Sequence, residues 1–232
     1  MIQDIKNEYD AVKLSEDYLS VFTIDNPLVS VCIATYNRCN SLLNIALPSV
    51  LEQTYKNIEI IIVGDCCTDN TEAEIKKISD PRIKFFNMPV RGNYETDSAI
   101  HTYEILGVYP TNKSLEMSTG NFITYLDDDD SYSKNRIEIL LQVAKTTKAD
   151  VIYHPFTIIH KNGERVDING DFSLNNVTTS AIFYHSWFKR IQWNDQCWKE
   201  EEPRDWNLFK KFIEIGATVY KHNEFLTTMH KI

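Results

Sequence analysis

Four consecutive carboxylates, Asp127, Asp128, Asp129 and Asp130, follow a run of β-branched and aromatic residues over 122–126. That run reads as a buried strand, preceded by a Gly120 suited to ending a helix. On an extended backbone alternate side chains share a face, which pairs Asp127 with Asp129 and Asp128 with Asp130. Two carboxylates about 6–7 Å apart repel by roughly 2–3 kcal/mol at an effective dielectric near 20. A bound cation removes that penalty. Hard oxygen donors select Mg²⁺ or Mn²⁺, and a site with few protein ligands leaves coordination positions for substrate phosphates. A solvated acidic turn is the plainer account of the same residues.

The elements around the acidic run alternate. An apolar stretch at 28–34 reads as a central strand buried on both faces and ends in the polar Thr35-Tyr36-Asn37-Arg38. A helix capped by Asn40 or Ser41 is expected to reach about residue 54, kinked at Pro48. A second strand at 57–63 ends in Gly64-Asp65-Cys66-Cys67-Thr68-Asp69-Asn70, and a helix at 72–78 and a strand at 82–87 follow. Strand–helix alternation implies a parallel sheet with right-handed crossovers, in which ligands bind beyond the carboxyl ends of the strands. The polar tips at 35–38, 65–70 and 127–130 then converge on one edge.

Residues 88–110 are less regular, and a helix at 111–118 leads back to Gly120. A helix at 134–147 capped by Ser133, a strand at 150–161 and an Asn162-Gly163 hairpin turn before 164–168 come next. A helix at 206–215 stopped by Gly216 and a final strand at 217–220 complete the pattern. Residues 1–26 read as an N-terminal helical arm without evident chemistry. Residues 27–232 read as one domain, with a nucleotide-binding half to residue 130 and an acceptor half from residue 131.

The net charge of −9 disfavours nucleic acid or an anionic membrane as the principal partner. No apolar run approaches the roughly 18–20 residues of a membrane span, and the first 30 residues show no secretory signal pattern. The five cysteines lack zinc-like spacing and read as reduced thiols of a cytoplasmic protein. Peripheral contact with a membrane stays open.

Five stretches together resemble the family 2 glycosyltransferases of the GT-A fold. They are Val29-Ser-Val-Cys-Ile-Ala-Thr-Tyr-Asn-Arg38, Ser49-Val-Leu-Glu-Gln-Thr-Tyr55, Ile61-Ile-Val-Gly-Asp65-Cys-Cys-Thr-Asp69-Asn-Thr71, the block from Asn112 to Gly120 with Leu126-Asp-Asp-Asp-Asp130, and Arg204-Asp205-Trp206-Asn-Leu-Phe209. The resemblance covers most of residues 28–230. It implies an α/β fold with a mostly parallel twisted sheet flanked by helices. It also implies an inverting transfer from a nucleoside-diphosphate sugar to a hydroxyl of a glycan or lipid-linked glycan, as in surface polysaccharide synthesis.

The resemblance implies roles for individual residues. Asp65 would recognise the base, with Thr35 and Tyr36 around base and ribose. Arg38, Asn112 and Asp128 complete the donor-binding set. Asp127 and Asp129 would hold Mn²⁺ or Mg²⁺, joined by His230 from the late segment, for which a frayed tail is the plainer reading. Asp205 would be the general base, with Glu202 as substitute; an Asp there also caps the helix that follows. The chain departs from the family pattern at Gly64, Cys66-Cys67 and Thr111, which bears on the identity of the donor. Two other classes share some of these features. A sugar-phosphate nucleotidyltransferase would carry a Gly-rich basic loop after the first strand, where this chain has no Gly. A catalytically inactive carbohydrate- or nucleotide-binding module would not need Asp65, residues 127–130 and Asp205 together.

Overall fold

The computed structural model describes residues 2–231. Its centre follows from the apolar runs. β1 (Val29–Thr35) and β2 (Ile58–Gly64) are almost entirely buried, as near-continuous Val and Ile demand of strands covered on both faces. β3 (Ile83–Asn87) and β4 (Phe122–Tyr125) flank them, and all four run parallel. The remaining strands are β5 (Ser131–Tyr132), β6 (Val151–Tyr153), β7 (Phe156–His160), β8 (Arg165–Ile168), β9 (Ile182–His185), β10 (Val219–Lys221) and β11 (Thr227–Lys231). The large sheet has the order β10-β6-β9-β4-β1-β2-β3, with β9 antiparallel to both neighbours. A smaller sheet has the order β5-β11-β7-β8.

The helices are α1 (Ile2–Val12), α2 (Glu16–Ser20), α3 (Cys39–Ser41), α4 (Leu47–Leu51), α5 (Thr71–Ile75), α6 (Ala99–Ile105), α7 (Val108–Met117), α8 (Arg136–Thr147) and α9 (Arg204–Ile215). Between α3 and α4 a wide π turn spans Leu42–Ala46, closed by the Leu47 N–H to Leu42 carbonyl bond. The expected kink at Pro48 takes this form because proline has no N–H to donate and its ring crowds the preceding turn. α9 ends at Gly216, whose φ of 92° only glycine adopts without strain.

Three expectations change. The single strand expected at 150–161 is two, β6 and β7, in different sheets. Pro155 cannot continue the ladder, and the buried His154 beside it accepts a hydrogen bond at Nε2 from Arg136 Nε at 3.0 Å. The strand expected last is followed by β11, which pairs with β5 and β7, so the tail is ordered structure. The irregular 88–110 contains α6, and α7 begins at residue 108, after Gly107 at φ 83°.

The N-terminal segment lies against the back of the large sheet. Tyr9, Tyr18 and Phe22 are buried in the common core. The hydroxyls of Tyr9 and Tyr18 both donate to the buried Asp150. His185 stacks on Tyr18 with ring centres 4.1 Å apart.

Candidate active site

A cleft of about 530 Å³ lies beyond the carboxyl ends of β1, β2 and β4. The parallel register Thr35↔Gly64 and Cys32↔Tyr125 brings the ends of these strands to one edge. After β1 the chain turns at Asn37, whose positive φ of 51° suits asparagine. Its side-chain oxygen accepts the Thr68 and Asp69 N–H groups at 2.8 and 3.2 Å. The first two polar tips are thus tied together.

Asp65 is buried at the end of β2. Its carboxylate accepts the Gly92 N–H at 2.9 Å and the Tyr94 hydroxyl at 2.6 Å. The Arg91 guanidinium lies 3.8 Å above the Tyr36 ring, with its Nε 3.8 Å from Asp65. Gly64 has a packing reason. A Cβ there would stand 2.5 Å from Asn87 Oδ1, the atom that accepts the Cys67 N–H at 2.8 Å and holds the turn. Any side chain there would have to displace that amide and its bond to the turn. Cys66, at φ 58°, and Cys67 shape the same turn and are unpaired thiols.

Residues 127–130 do not continue as an extended strand. The Asp130 N–H bonds to the Asp127 carbonyl at 3.0 Å, closing a turn. The expected alternation of faces is therefore lost, and one guanidinium reaches two consecutive aspartates. Arg38 Nη1 donates to Asp129 at 2.8 Å and to Asp128 at 3.3 Å. The Thr35 hydroxyl donates to Asp128 at 2.7 Å. Ser180 holds the other side, donating to Asp130 at 2.7 Å and accepting the Asp127 N–H at 3.0 Å. Arg204 Nη2 stands 3.7 Å from Asp127. Burial is the main force on these carboxyls. It raises Asp127 against the pull of Arg204, lifts Asp128 to about 6 despite the Thr35 hydrogen bond, and raises Asp130 well above the usual range.

Asp205 lies in the first turn of α9 and lines the same cleft. It accepts the N–H of the next residue, Trp206, at 2.8 Å, but the helix begins at Arg204 with Pro203 at its N-cap, so Asp205 lies inside the first turn and is not the expected cap; burial raises its pKa. His230, on β11, also lines the cleft. Its Nε2 is 2.9 Å from the Ser131 hydroxyl, and burial lowers its pKa. Thr35, Tyr36, Arg38, Asp65, Asp127, Asp128, Asp129, Asp205 and His230 are therefore gathered in one cleft.

Two named residues are elsewhere. Asn112 gives both ends of its amide to the Trp193 backbone, at 2.9 Å each, so it braces a loop and does not line the cleft. Glu202 accepts from Lys210 at 2.7 Å and from Asn207 at 3.1 Å and is outside the cleft wall. The four tryptophans divide as core packing would have it: Trp193 is buried, and Trp187, Trp198 and Trp206 pack against the core. Sequence reasoning missed Arg91, Gly92 and Tyr94, which surround Asp65 from an irregular segment, and Ser180. Arg204 stood within the quoted Arg-Asp-Trp stretch and carried a readable signal.

The donor set suits a hard divalent ion. Asp127 and Asp129 offer carboxylate oxygens, each now facing only a guanidinium. Among the described residues no three of His, Cys, Asp or Glu converge as a self-sufficient metal site. An ion held here therefore takes further ligands from substrate.

Comparison with known proteins agrees with this geometry. The sequence model described as glycosyl transferase family 2 matches residues 30–95 and 111–211. The putative colanic acid biosynthesis glycosyl transferase WcaA of Escherichia coli K12 is 30% identical over 225 residues, covering 89% of this chain and 73% of WcaA. The GalNAc(5)-diNAcBac-PP-undecaprenol β-1,3-glucosyltransferase of Campylobacter jejuni is 31% identical over 215 residues, covering 84% of this chain and 65% of that protein. The E. coli UDP-Glc:α-D-GlcNAc-diphosphoundecaprenol β-1,3-glucosyltransferase WfgD is 28% identical, and this chain spans about half, 49%, of its length. The crystal structure of S. aureus TarS in complex with UDP-GlcNAc superimposes with a TM-score of 0.69 at 16% identity, over 88% of this chain and 58% of that one. With an acidic turn, a buried aspartate at the end of β2 and an acid at a helix start in one cleft, and with the family match spanning most of its length, this chain belongs to glycosyl transferase family 2.

Proposed function

We propose that this chain transfers a sugar from a nucleoside-diphosphate sugar to an acceptor hydroxyl with inversion. The observation that carries the reading is that Asp65, the acidic turn and Asp205 open into one cleft sized for such a donor. Asp65 has lone pairs left to accept a base N–H, and the Tyr36–Arg91 pair walls the base. The names of the E. coli and C. jejuni relatives favour a UDP-sugar as donor and a lipid-linked glycan as acceptor. The five unpaired cysteines favour a reducing, cytoplasmic setting, and among the described residues no helix is long and apolar enough to cross a membrane.

Asp127 and Asp129 would hold Mn²⁺ or Mg²⁺, with His230 joining on release from Ser131. The ion supplies electrostatic stabilisation of charge on the leaving diphosphate. Arg38 and Arg204 keep the two carboxylates paired in the free protein and, once released from them, are cations at hand for phosphate oxygens. Asp205 accepts the proton of the acceptor hydroxyl as it attacks the anomeric carbon. Its raised pKa makes it a stronger base than an exposed carboxylate. Thr35 and Ser180 fix the acidic turn so that it does not rearrange during the reaction.

The test is a thermal-shift screen of UDP-sugars with and without Mn²⁺, followed by assay of nucleotide release. Stabilisation by one UDP-sugar that is larger with Mn²⁺, together with slow UDP release, is expected. Full activity in excess EDTA would sink the metal assignment, and binding without any turnover would leave a binding module.

A further inference from the structure

Beyond Asp129 the cleft opens into a second basin of about 760 Å³. The two spaces share Arg38, Tyr103, Asp129, His230 and Lys231 as a common wall. The far wall is the turn joining β7 to β8, which contributes His160, Lys161 and Glu164. The parallel pairing of β11 with β7 sets Lys231 opposite His160, so Lys231 and Lys161 sit at neighbouring positions on one rim. Both are exposed, and among the described residues neither forms an ion pair within 4 Å. In a chain of net charge −9 this rim gathers two cations, of which Lys231 also acts at a distance on the Asp127 carboxylate.

The third wall comes from the segment that precedes α7. Residues 96–110 fall between the two stretches that match the family, and they carry α6. Ile100 and Tyr103, one turn apart on the same helical face, are 71% and 74% exposed. Tyr103 lines both spaces. An aromatic ring standing in water at the junction of two cavities is a platform for the apolar face of a sugar.

Resting on the glycosyl-transfer reading, we infer that this basin is the acceptor subsite and that it selects a glycan carrying an anionic group, phosphate or carboxylate. Tyr103 supports the sugar ring, and Lys161 with Lys231 receives the anion. The physical need is plain. An anionic acceptor approaching residues 127–130 and a donor diphosphate is repelled by both, Arg38 and Arg204 are already paired with the carboxylates, and the rim lysines offset the repulsion that is left. A neutral acceptor has no use for them.

Three probes test this on the full chain by calorimetric titration at low ionic strength, with and without UDP and Mn²⁺. They are N-acetylglucosamine 1-phosphate, methyl glucuronide and methyl glucoside. We expect one or both anionic probes to bind about tenfold tighter than methyl glucoside, the scale of two exposed ion pairs. Whichever is tighter identifies phosphate or carboxylate as the natural group. Lys161→Gln should cut that preference to about threefold while leaving UDP affinity unchanged, and added salt should erode it more in wild type than in the variant. Tyr103→Ala should weaken all three probes. Equal affinities for all three probes, or a preference that Lys161→Gln leaves at its wild-type size, would overturn the subsite. An anionic preference in a protein that binds no UDP would uphold the subsite and defeat the glycosyl-transfer reading.

Discussion

Two buried acidic sites sit at opposite ends of the large sheet's chemistry. Asp150 is held by the Tyr9 hydroxyl at 2.5 Å, by Tyr18, and by the Thr218 N–H and hydroxyl at 2.7 Å each. Its oxygens face neutral donors of the protein itself. In the turn at 127–130, by contrast, Asp127 and Asp129 face the cleft, each with only a guanidinium partner. A carboxylate whose lone pairs are taken by the protein holds the fold together. One left with spare lone pairs beside a cavity is available to a ligand. Residue type is alike in the two places, but Asp150 is 2% exposed while the Asp127 and Asp129 side chains are 34% and 20% exposed, so solvent access and the supply of internal donors together separate them.

The contrast breaks most sharply at Asp129. Asp129→Ala should lower transfer by about 10⁴-fold, the scale of losing a charge-stabilising ion, with thermal stability unchanged or slightly higher as repulsion is relieved. Calorimetric melting beside nucleotide release checks both halves. A stability loss as large as that for Asp150 would erase the distinction. Asp205→Asn comes next, at about 10³-fold in turnover with UDP-sugar affinity little changed, because the amide oxygen still accepts the Trp206 N–H but takes no proton. Near-normal turnover would move the base elsewhere, and Glu202, paired with Lys210, is poorly placed to replace it.

At the other site the effect falls on stability. Asp150→Ala strands two buried phenols and should cost about 3 kcal/mol, a fall in Tm of roughly 10 °C, while turnover per folded molecule holds. A matching loss of turnover at low temperature would show that the back of the sheet reaches the cleft.

The smallest effect is in pH. His185 is buried beside these tyrosines, and burial lowers its pKa from 6.5 to about 4. The unfolded chain therefore binds a proton that the folded chain refuses between these values. Stability from neutral His185 is fully present above pH 6.5 and is lost as pH falls toward 4. The buried carboxyls of the cleft are raised and act in the opposite sense, so only a difference isolates the histidine. The stability advantage of wild type over His185→Gln should shrink by about 2 kcal/mol from pH 7 to pH 5. Denaturant melts at the two pH values measure it, and a constant difference would mean that His185 titrates normally.

Much of this was legible in the chain. Val and Ile interrupted only by Ser30 and Cys32 at 29–33 and by Glu59 at 58–63 call for strands buried on both faces, and the alternation with helices makes them parallel. Parallel strands send their carboxyl ends to one edge, so the meeting of Thr35, Asp65 and the acidic run followed from order alone. Tertiary structure decided the rest, because partners distant in sequence leave no local pattern. The break at Pro155 could be read, but not that β7 would join a second sheet with the tail strand β11 at its side. Asn112 and Glu202 carry polar side chains suited to a site, yet the Trp193 backbone and Lys210 claim them first. Asp127 and Asp150 are the same residue beside apolar runs, Asp127 after the run at 122–126 and Asp150 before β6. Only the folded chain shows that Tyr9 and Tyr18, from the N-terminal helices, reach one of them and that nothing comparable reaches the other.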